Sequence, residues 1–362
     1  MKRTATLGIC GLALGLCLVT ACGSDGDGGS GGSEGGDGAG SREVTLVTHD
    51  SFLVSDDVLA RFEEESGYHV NVLRGGDAGV VVNQAVLSRG NPQGDVLFGV
   101  DNTLLSRALD EDVFEPYEAA GLDAIPAQLR LDGENRVTPV DTGDICVNYD
   151  RAWFAEEGID PPETFADLTD PAYRDLLVVE NAATSSPGLG FLLATVATFG
   201  EDGWQDWWQQ LADNGVEVVD GWEQAYNERF SGSGQGGDRP LVVSYASSPP
   251  AGVVYGGEER PDEAPTGVST GTCFRQVEFA GLLAGAQNPE GGRALLDFLI
   301  GRDFQEDMPL QMFVSPVLPD AALPEEYTRY GVTVDDPVTM DPAEIAEGRD
   351  GWIDEWTSLV VR

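Results

Sequence analysis

Five consecutive segments decide the fold: EVTLVT (43–48), VLARFEEES (58–66), YHVNVL (68–73), VVVNQAVLS (80–88) and DVLFGV (95–100). The first, third and fifth are runs or alternations of β-branched and other apolar residues, which predict strands. The second and fourth have helical spacing, and Gly67 is placed to end the first helix. Strands that alternate with helices predict parallel pairing through helical crossovers. Ligands of such sheets bind beyond the carboxyl ends of the strands.

The same pattern continues through the rest of the chain. Further predicted strands are 145–149, 176–179, 216–219, 241–245 and 275–279, and further predicted helices are 188–199, 204–214 and 292–300. The folded part has roughly 320 residues, which is more than a single core usually serves. We therefore predict two α/β lobes.

The N-terminus has the three parts of a secretory signal. Lys2 and Arg3 precede an apolar run at 7–19, and small residues lead to Cys22. The segment LVTAC (18–22) resembles a lipobox, which predicts a signal peptide at 1–21, lipid on Cys22 and a flexible Gly/Ser/Asp tether at 22–42. We expect a protein exported and anchored to the outer face of the cytoplasmic membrane. The alternative is ordinary cleavage beside an incidental cysteine.

The charge is strongly negative, with 63 acidic against 20 basic residues. Nucleic acid is excluded as a partner, because phosphate binding needs a basic patch. The acidity favours a cationic ligand, or it keeps an exported surface soluble. Beyond Cys22 only Cys146 and Cys273 remain, and they are either a disulfide or two buried thiols.

Catalytic and metal motifs are missing from the sequence, so we predict neither an enzyme nor a cofactor or metal site. There are two histidines, His49 and His69, and no H-E-x-x-H, C-x-x-C or Walker motif. GVSTG (267–271) matches the nucleophile elbow of serine hydrolases, which requires a strand before the serine and a helix after it. A strand-like run follows Ser269 instead, so we interpret the match as accidental.

Two features suggest a ligand site without a catalyst. Trp222, Tyr226 and Tyr245 stand where strands run into loops, where aromatic rings can hold a flat ligand. SSPGLG (185–190) precedes an apolar helix. Its serines and free N–H groups are either an N-cap or an anion site.

Seven short runs, taken in order, resemble one family. They are THDSF (48–52), FGVDNTLL (98–105), SSPGLG (185–190), GWEQAY (221–226), VSYASSP (243–249), QVEFA (276–280) and FVSPV (313–317). Their order and spacing resemble the thiamine-binding proteins of bacterial thiamine ABC importers. The resemblance extends from Val44 to DGWIDEW (350–356), nearly the whole folded part.

The resemblance implies an α/β periplasmic-binding-protein fold of type II, with mixed sheets flanked by helices and two hinge strands. Residues 43–142 with 276–362 would form one lobe and 143–275 the other. The implied ligand is thiamine or a thiamine phosphate. The implied partners are an ABC permease and its ATPase, and we expect a monomer. Cys146 and Cys273 would each lie at the edge of a hinge strand.

The family's ligand contacts carry over where its motifs match this sequence: His49, Asp77, Gly79, Ser185, Ser186, Trp222, Tyr245 and Phe313. Asp77, with Asp101 or Asp141, would balance the thiazolium charge, and Ser185 would suit a phosphate tail. Tyr226 is added as a neighbouring aromatic residue.

The sequence departs from the family at several positions. His49 and Phe313 replace other aromatic residues, and Pro250-Ala251 stands where the family has a tyrosine, so the role of Tyr255 stays open. The alternatives are another small cationic solute, such as a polyamine or a thiamine-precursor pyrimidine, and, less favoured, a secreted serine hydrolase.

Overall fold

The computed structural model describes residues 42–257 and 260–361. The expected signal peptide (1–21), the lipidation residue Cys22 and all of the expected tether except Arg42 lie outside the described residues. Within the two described ranges, no helix combines the length and the apolar character needed to cross a membrane.

The strands and helices alternate along most of the chain. The strands are β1 (Glu43–Thr48), β2 (His69–Arg74), β3 (Val96–Asp101), β4 (Phe114–Glu115), β5 (Thr138–Asp150), β6 (Leu177–Glu180), β7 (Glu217–Val219), β8 (Leu241–Tyr245), β9 (Thr266–Leu283) and β10 (Ser315–Pro316). The helices are α1 (Asp56–Ser66), α2 (Ala78–Leu87), α3 (Leu105–Asp110), α4 (Arg151–Glu157), α5 (Ser186–Phe199), α6 (Trp204–Asp213), α7 (Pro249–Val254), α8 (Pro289–Leu299), α9 (Arg302–Gln311), α10 (Glu325–Tyr330) and α11 (Pro342–Val360).

The ten described strands form one mixed sheet in the order β2-β1-β3-β9-β5-β8-β6-β7, with β4 beside β9 and β10 beside β5. In the first half of the sheet, β1 pairs in parallel with β2 and β3. In the second half, β6 pairs in parallel with β7 and β8. β3 is buried along its whole length, which explains its unbroken apolar run, since strands covered on both faces do not alternate.

The antiparallel strands β5 and β9 pass through both halves of the sheet. The first part of β5, Thr138 to Asp144, pairs with the second part of β9, and Ile145 to Asp150 pairs with the first part. The lobe boundaries expected at 142/143 and 275/276 fall inside these two strands. The division of the chain into lobes at those residues stays a prediction.

The predicted strands 145–149 and 275–279 are short pieces of much longer ones. β5 has 13 residues and β9 has 18. Polar residues outside the predicted runs, such as Asp141, Asp144 and Ser269, interrupt the apolar pattern that signals a strand.

Cys146 on β5 and Cys273 on β9 form a disulfide, with their Cα atoms 4.2 Å apart. Ser269 lies inside β9, is almost fully buried, and donates a hydrogen bond to the carbonyl oxygen of Pro162 at 2.5 Å. The strand continues past it, so the geometry of a nucleophile elbow is absent here.

Helix α5 is apolar on every side and is buried from Ser186 to Val196. It packs on β5, β6, β8 and β9, and α6 and α11 contact it. Trp208 of α6 meets Trp356 of α11 edge to face, with ring centroids 5.5 Å apart. Because α11 also contacts α3, the C-terminal helix bridges the two halves.

Candidate functional site

A cleft opens at the carboxyl ends of β1, β7 and β8 and at the N-termini of α2 and α5. Its empty space, open mouth included, is about 540 Å³. The lining residues come from both halves of the sheet: His49, Asp50, Ser51, Asp77, Ala78, Ser186, Pro187, Trp222, Tyr245, Gln276, Glu278, Met312 and Val314.

Two aromatic rings form part of the wall. Trp222, three residues beyond β7, donates its indole N–H to Ser244 Oγ at 2.9 Å. Its other support is Tyr226, whose ring stacks on it with centroids 4.9 Å apart and planes 13° apart. Tyr226 is buried behind Trp222 and does not line the cleft. Tyr245 lines it directly, and burial raises the pKa of its phenol, so the hydroxyl stays protonated.

Asp77 joins the two halves across the cleft. One carboxylate oxygen accepts the backbone N–H of Ala78 at 2.6 Å, as a helix cap, and the other accepts the backbone N–H of Trp222 at 2.8 Å. Burial raises the pKa of Asp77. Nearby, Ser51 Oγ donates to Glu223 at 3.0 Å, a second hydrogen bond between the halves.

Gly79 and Ser185 lie beside the cleft and not on its wall. A side chain at Gly79 would come within 2.6 Å of the carbonyl oxygen of Thr184, so only glycine lets α2 approach the segment before α5 this closely. Ser185 Oγ accepts the N–H of Gly188 at 3.5 Å, which makes it the N-cap of α5. Both residues line a neighbouring cavity.

Three carboxyl groups lie side by side on β3, β9 and β5, and of these only Glu278 lines the cleft. Glu278 of β9 is directly opposite Asp101 of β3 on one side and Asp141 of β5 on the other. All three are at least nine-tenths buried. Side chains that face each other across an antiparallel pair share one face of the sheet, and like charges there repel. We call Asp101, Glu278 and Asp141 the acidic row.

The Asp101 carboxylate accepts hydrogen bonds from three side chains. It accepts hydrogen bonds from the hydroxyl of Thr103 at 2.6 Å, from Gln276 Nε2 at 2.7 Å and from Ser186 Oγ. Asp101 itself does not line the cleft. It orients Ser186 and Gln276, which do.

Asp141 has the opposite environment. No donor of another group reaches either of its carboxyl oxygens, and the group within hydrogen-bonding range is the Glu278 carboxyl. Burial, reinforced by the charge of Glu278, raises the pKa of Asp141 well above its usual range. Burial also raises the pKa of Glu278, to about 8. A hydrogen bond between the two requires a proton on one of them.

His49 is the basic group of the wall. Its Nε2 lies 3.4 Å from Glu278 Oε1, and the centroids of its ring and of the Phe98 ring are 5.5 Å apart. Burial lowers the pKa of His49. The ring fits because residue 99 is glycine: a Cβ there would lie 2.7 Å from the imidazole. The backbone φ of +111° also favours glycine at this position. A neutral imidazole leaves the negative charge of the acidic row unbalanced.

Phe313 has left-handed backbone, φ +54°, which is rare for a non-glycine residue and costs energy. Its neighbours Met312 and Val314 line the cleft, whereas the Phe313 ring meets Tyr255 with centroids 5.7 Å apart. Tyr255 is largely exposed.

Residue-based reasoning did not assign Glu278, Gln276, Met312 or Val314 to the site. Glu278 and Gln276 belong to QVEFA (276–280), a run used only to establish the resemblance. An acidic residue inside an otherwise apolar strand is a usable signal, because buried carboxyl groups are costly without a partner. Nothing in the sequence distinguishes Met312 and Val314 from core residues.

The cleft thus combines aromatic faces with carboxyl groups. None of its described lining residues is lysine or arginine. Within residues 42–257 and 260–361, no group of three or more His, Cys, Asp or Glu is arranged to hold a metal ion. This chemistry suits a flat organic cation.

Comparison with known proteins gives a consistent result. The family described as bacterial extracellular solute-binding protein matches residues 91–249. The thiamine-binding periplasmic protein of Escherichia coli K12 is 29% identical over 326 residues, covering 88% of this chain and 94% of the relative. The protein of that name from Brucella abortus is 28% identical over 340 residues, covering 88% and 92%.

A solved structure of a periplasmic thiamin binding protein superposes with a TM-score of 0.74 at 26% identity, covering 88% of this chain and 96% of that one. The resemblance predicted from the seven runs, and the two-lobed fold that it implied, are therefore confirmed. This chain has the periplasmic-binding-protein fold, it is similar to the thiamine-binding periplasmic proteins and in part to the bacterial extracellular solute-binding family, and it is not an enzyme.

Proposed function

We propose that the cleft binds thiamine and that the protein delivers it to the permease of an ABC importer. The observation that carries the proposal is the base of the cleft, where buried carboxyl groups have no basic partner other than His49. Thiamine carries a permanent thiazolium charge and a flat pyrimidine. The cation would lie near Glu278 and Asp77, and the rings against Trp222 and Tyr245.

The proposal includes a preference among thiamine forms. Phosphate groups are usually held by arginine, lysine or free backbone N–H groups. The described lining offers the start of α5 but no arginine or lysine, and Asp50, Asp77 and Glu278 repel a phosphate. We therefore expect unphosphorylated thiamine to bind more tightly than its monophosphate, and the diphosphate to bind least.

Isothermal titration calorimetry of the purified protein tests both statements. Thiamine, its two phosphates and spermidine are titrated separately at one pH and salt concentration. Tight binding of thiamine and weak binding of spermidine are expected. Preferential binding of spermidine would mean that the ligand is a polyamine and not thiamine, while the assignment of the cleft as a site for a cation would stand. Binding of neither would reject the proposal.

We also propose the anchoring that delivery requires, with cleavage after residue 21 and lipid on Cys22. Several acyl chains together hold a protein firmly at a membrane, at about 0.8 kcal/mol per buried CH₂. The full-length protein should fractionate with membranes, and Cys22→Ser should release it or leave it unprocessed. A wild-type protein that is cleaved but takes up no labelled fatty acid would reject the lipid anchor.

A further inference from the structure

The acidic row contains a charge imbalance that the fold itself does not resolve. Asp101 receives donors from three side chains and the backbone. Glu278, in the middle of the row, has His49 at 3.4 Å. Asp141, at the end, is 1% exposed and receives no hydrogen bond from any other group. The two neighbouring carboxyl groups of Glu278 and Asp141 cannot both be ionised without a cation beside them.

We infer that Asp141 and Glu278 share a proton in the empty cleft, and that a bound organic cation takes the place of that proton, which is released to solvent. Binding is then an exchange of one positive charge for another. The carboxyl pair acts as a specificity device, since a neutral ligand of the same shape cannot displace the proton. The inference rests on the proposed function for the identity of the cation.

Each titratable group that faces Asp141 and Glu278 either favours a positive charge at this pair or is neutral. Asp101 on β3 and Asp77 at the start of α2 add negative charge, which holds the proton on the pair. His49 beyond β1 is buried and has a lowered pKa. The phenols of Tyr245 on β8 and Tyr327 on α10 have raised pKa values, so they stay neutral.

The nearest basic side chain on the same strands does not neutralise the pair. Arg275 of β9 is engaged with Asp144 of β5. Asp144 is three residues beyond Asp141 in a regular stretch of the ladder, so its side chain points to the other face of the sheet. The cleft face of these two strands therefore carries carboxyl groups and the Gln276 amide, and neither lysine nor arginine.

The first test is calorimetry of the full protein with thiamine in phosphate and in Tris buffer at the same pH, since the two buffers differ in heat of protonation. We expect release of up to one proton per thiamine. Between pH 6 and pH 8 the association constant should rise with pH, approaching tenfold per pH unit. Deazathiamine, a neutral ligand of the same shape, should release no proton. Tight thiamine binding without proton release would overturn the inference while leaving the proposed function intact.

Two variants separate proton exchange from simple contact. In Asp141→Asn the amide can donate to Glu278, which should then be ionised in the empty protein. Thiamine binding should lose its pH dependence and become tighter at pH 6 than in the wild type. Glu278→Gln should also abolish proton release, with weaker binding. Glu118→Gln, an exposed residue outside the cleft, is the matched control and should keep the wild-type slope. Loss of affinity in Asp141→Asn with the pH slope retained would contradict the exchange.

The shared proton can also be detected without any ligand, so this part of the inference can be tested even if thiamine does not bind. Infrared spectra of the empty protein should contain the C=O band of a protonated carboxyl group near neutral pH. The band should disappear in Asp141→Asn and remain in Glu118→Gln. Its absence from the wild type would reject the shared proton, whereas its presence without thiamine binding would reject only the ligand.

Discussion

β5 and β9 carry two cross-strand pairs that differ in charge. At the base of the cleft, Asp141 faces Glu278, acid against acid. Three residues further along β5, Asp144 faces Arg275 on the other side of the sheet, with Arg275 Nε and Nη2 donating to the two carboxylate oxygens. The second pair is the ordinary arrangement for a sheet.

The contrast indicates which pair serves the fold and which serves the ligand. The Asp144–Arg275 pair is partly exposed and balanced by itself. The Asp141–Glu278 pair is buried and unbalanced, so it opposes folding at neutral pH. A destabilising arrangement that persists beside a cavity is typical of binding sites, where function and stability compete.

The largest effect on stability should come from the disulfide that joins the two strands. Cys146 and Cys273 close a loop of 127 residues, and removing such a bond usually costs about 2–5 kcal/mol of unfolding free energy. The double variant Cys146→Ser/Cys273→Ser should lose stability on this scale in urea denaturation. Its affinity for thiamine should stay near the wild-type value, because neither sulfur lines the cleft. A large loss of affinity would mean that the bond shapes the acidic row.

Neutralising the acid–acid pair should affect binding and stability in opposite directions. Glu278→Gln removes a buried carboxyl from the cleft wall, and we expect thiamine affinity to fall by about thirtyfold or more, since a truncated buried charge pair costs about 2–5 kcal/mol. The unfolding free energy near pH 8 should rise, because the repulsion with Asp141 disappears. Calorimetry and urea denaturation measure the two quantities. A variant that is both less stable and weaker in binding would contradict the contrast.

The aromatic wall should contribute less than the charges. Trp222→Ala removes a ring face for the cation, worth about 0.5–2 kcal/mol, and we expect thiamine affinity to fall by about tenfold without unfolding. Because the Trp222 N–H that binds Asp77 belongs to the backbone, that hydrogen bond survives the substitution. Trp222→Phe, which keeps a ring, is the control and should lose less. Unchanged affinity in both variants would remove Trp222 from the site.

The free energy of unfolding should depend on pH because of the Asp141–Glu278 pair. The pKa of Glu278 is raised from 4.5 to about 8 by burial, so the folded state binds a proton that the unfolded state has lost. This contribution is complete below about pH 4.5 and is lost as the pH rises through 8, with a slope of at most about 1.4 kcal/mol per pH unit. Urea denaturation between pH 5 and pH 9 should record the decline. A Glu278→Gln curve with the same slope would assign the decline to other groups.

The smallest effect should come from the acid–base pair. Asp144→Asn leaves Arg275 without its carboxylate, yet Arg275 is about one-third exposed, and partly exposed pairs contribute about 0–1 kcal/mol. We expect a stability loss below about 1 kcal/mol and no change in thiamine affinity. A binding defect in Asp144→Asn would show that the two faces of the strand pair are coupled.

Several parts of the site could be predicted from the sequence because their signals are local. Trp222 and Tyr245 stand where strands end, and Ser185 stands where a helix begins, so turn and capping patterns locate them, whereas Asp77 follows only from the resemblance. The role of each was less accessible. Tyr226 supports Trp222 from behind, Ser185 caps α5, and Asp101 orients other side chains.

Asp101 and Asp141 were named from the sequence as candidates to balance the ligand's charge, but the row that they form with Glu278 could not be predicted, because its members are far apart in the sequence. Asp101, Asp141 and Glu278 become neighbours only through the register of β3, β9 and β5. Register depends on long-range pairing and on bulges, one between Phe98 and Val100 and one between Pro139 and Asp141. A shift of one residue would turn these side chains to the other face.

The sequence by itself determined the alternating elements, the order of the family's runs, and the negative charge, since periodicity, composition and short motifs are properties of the chain. Only the tertiary structure decided that Cys146 meets Cys273 and that one face of β5 and β9 is unbalanced while the other is paired. The reason is physical. The burial of a charge and the identity of its partner are set by residues more than a hundred positions away, and the cost of burying that charge exists only once those residues have come together.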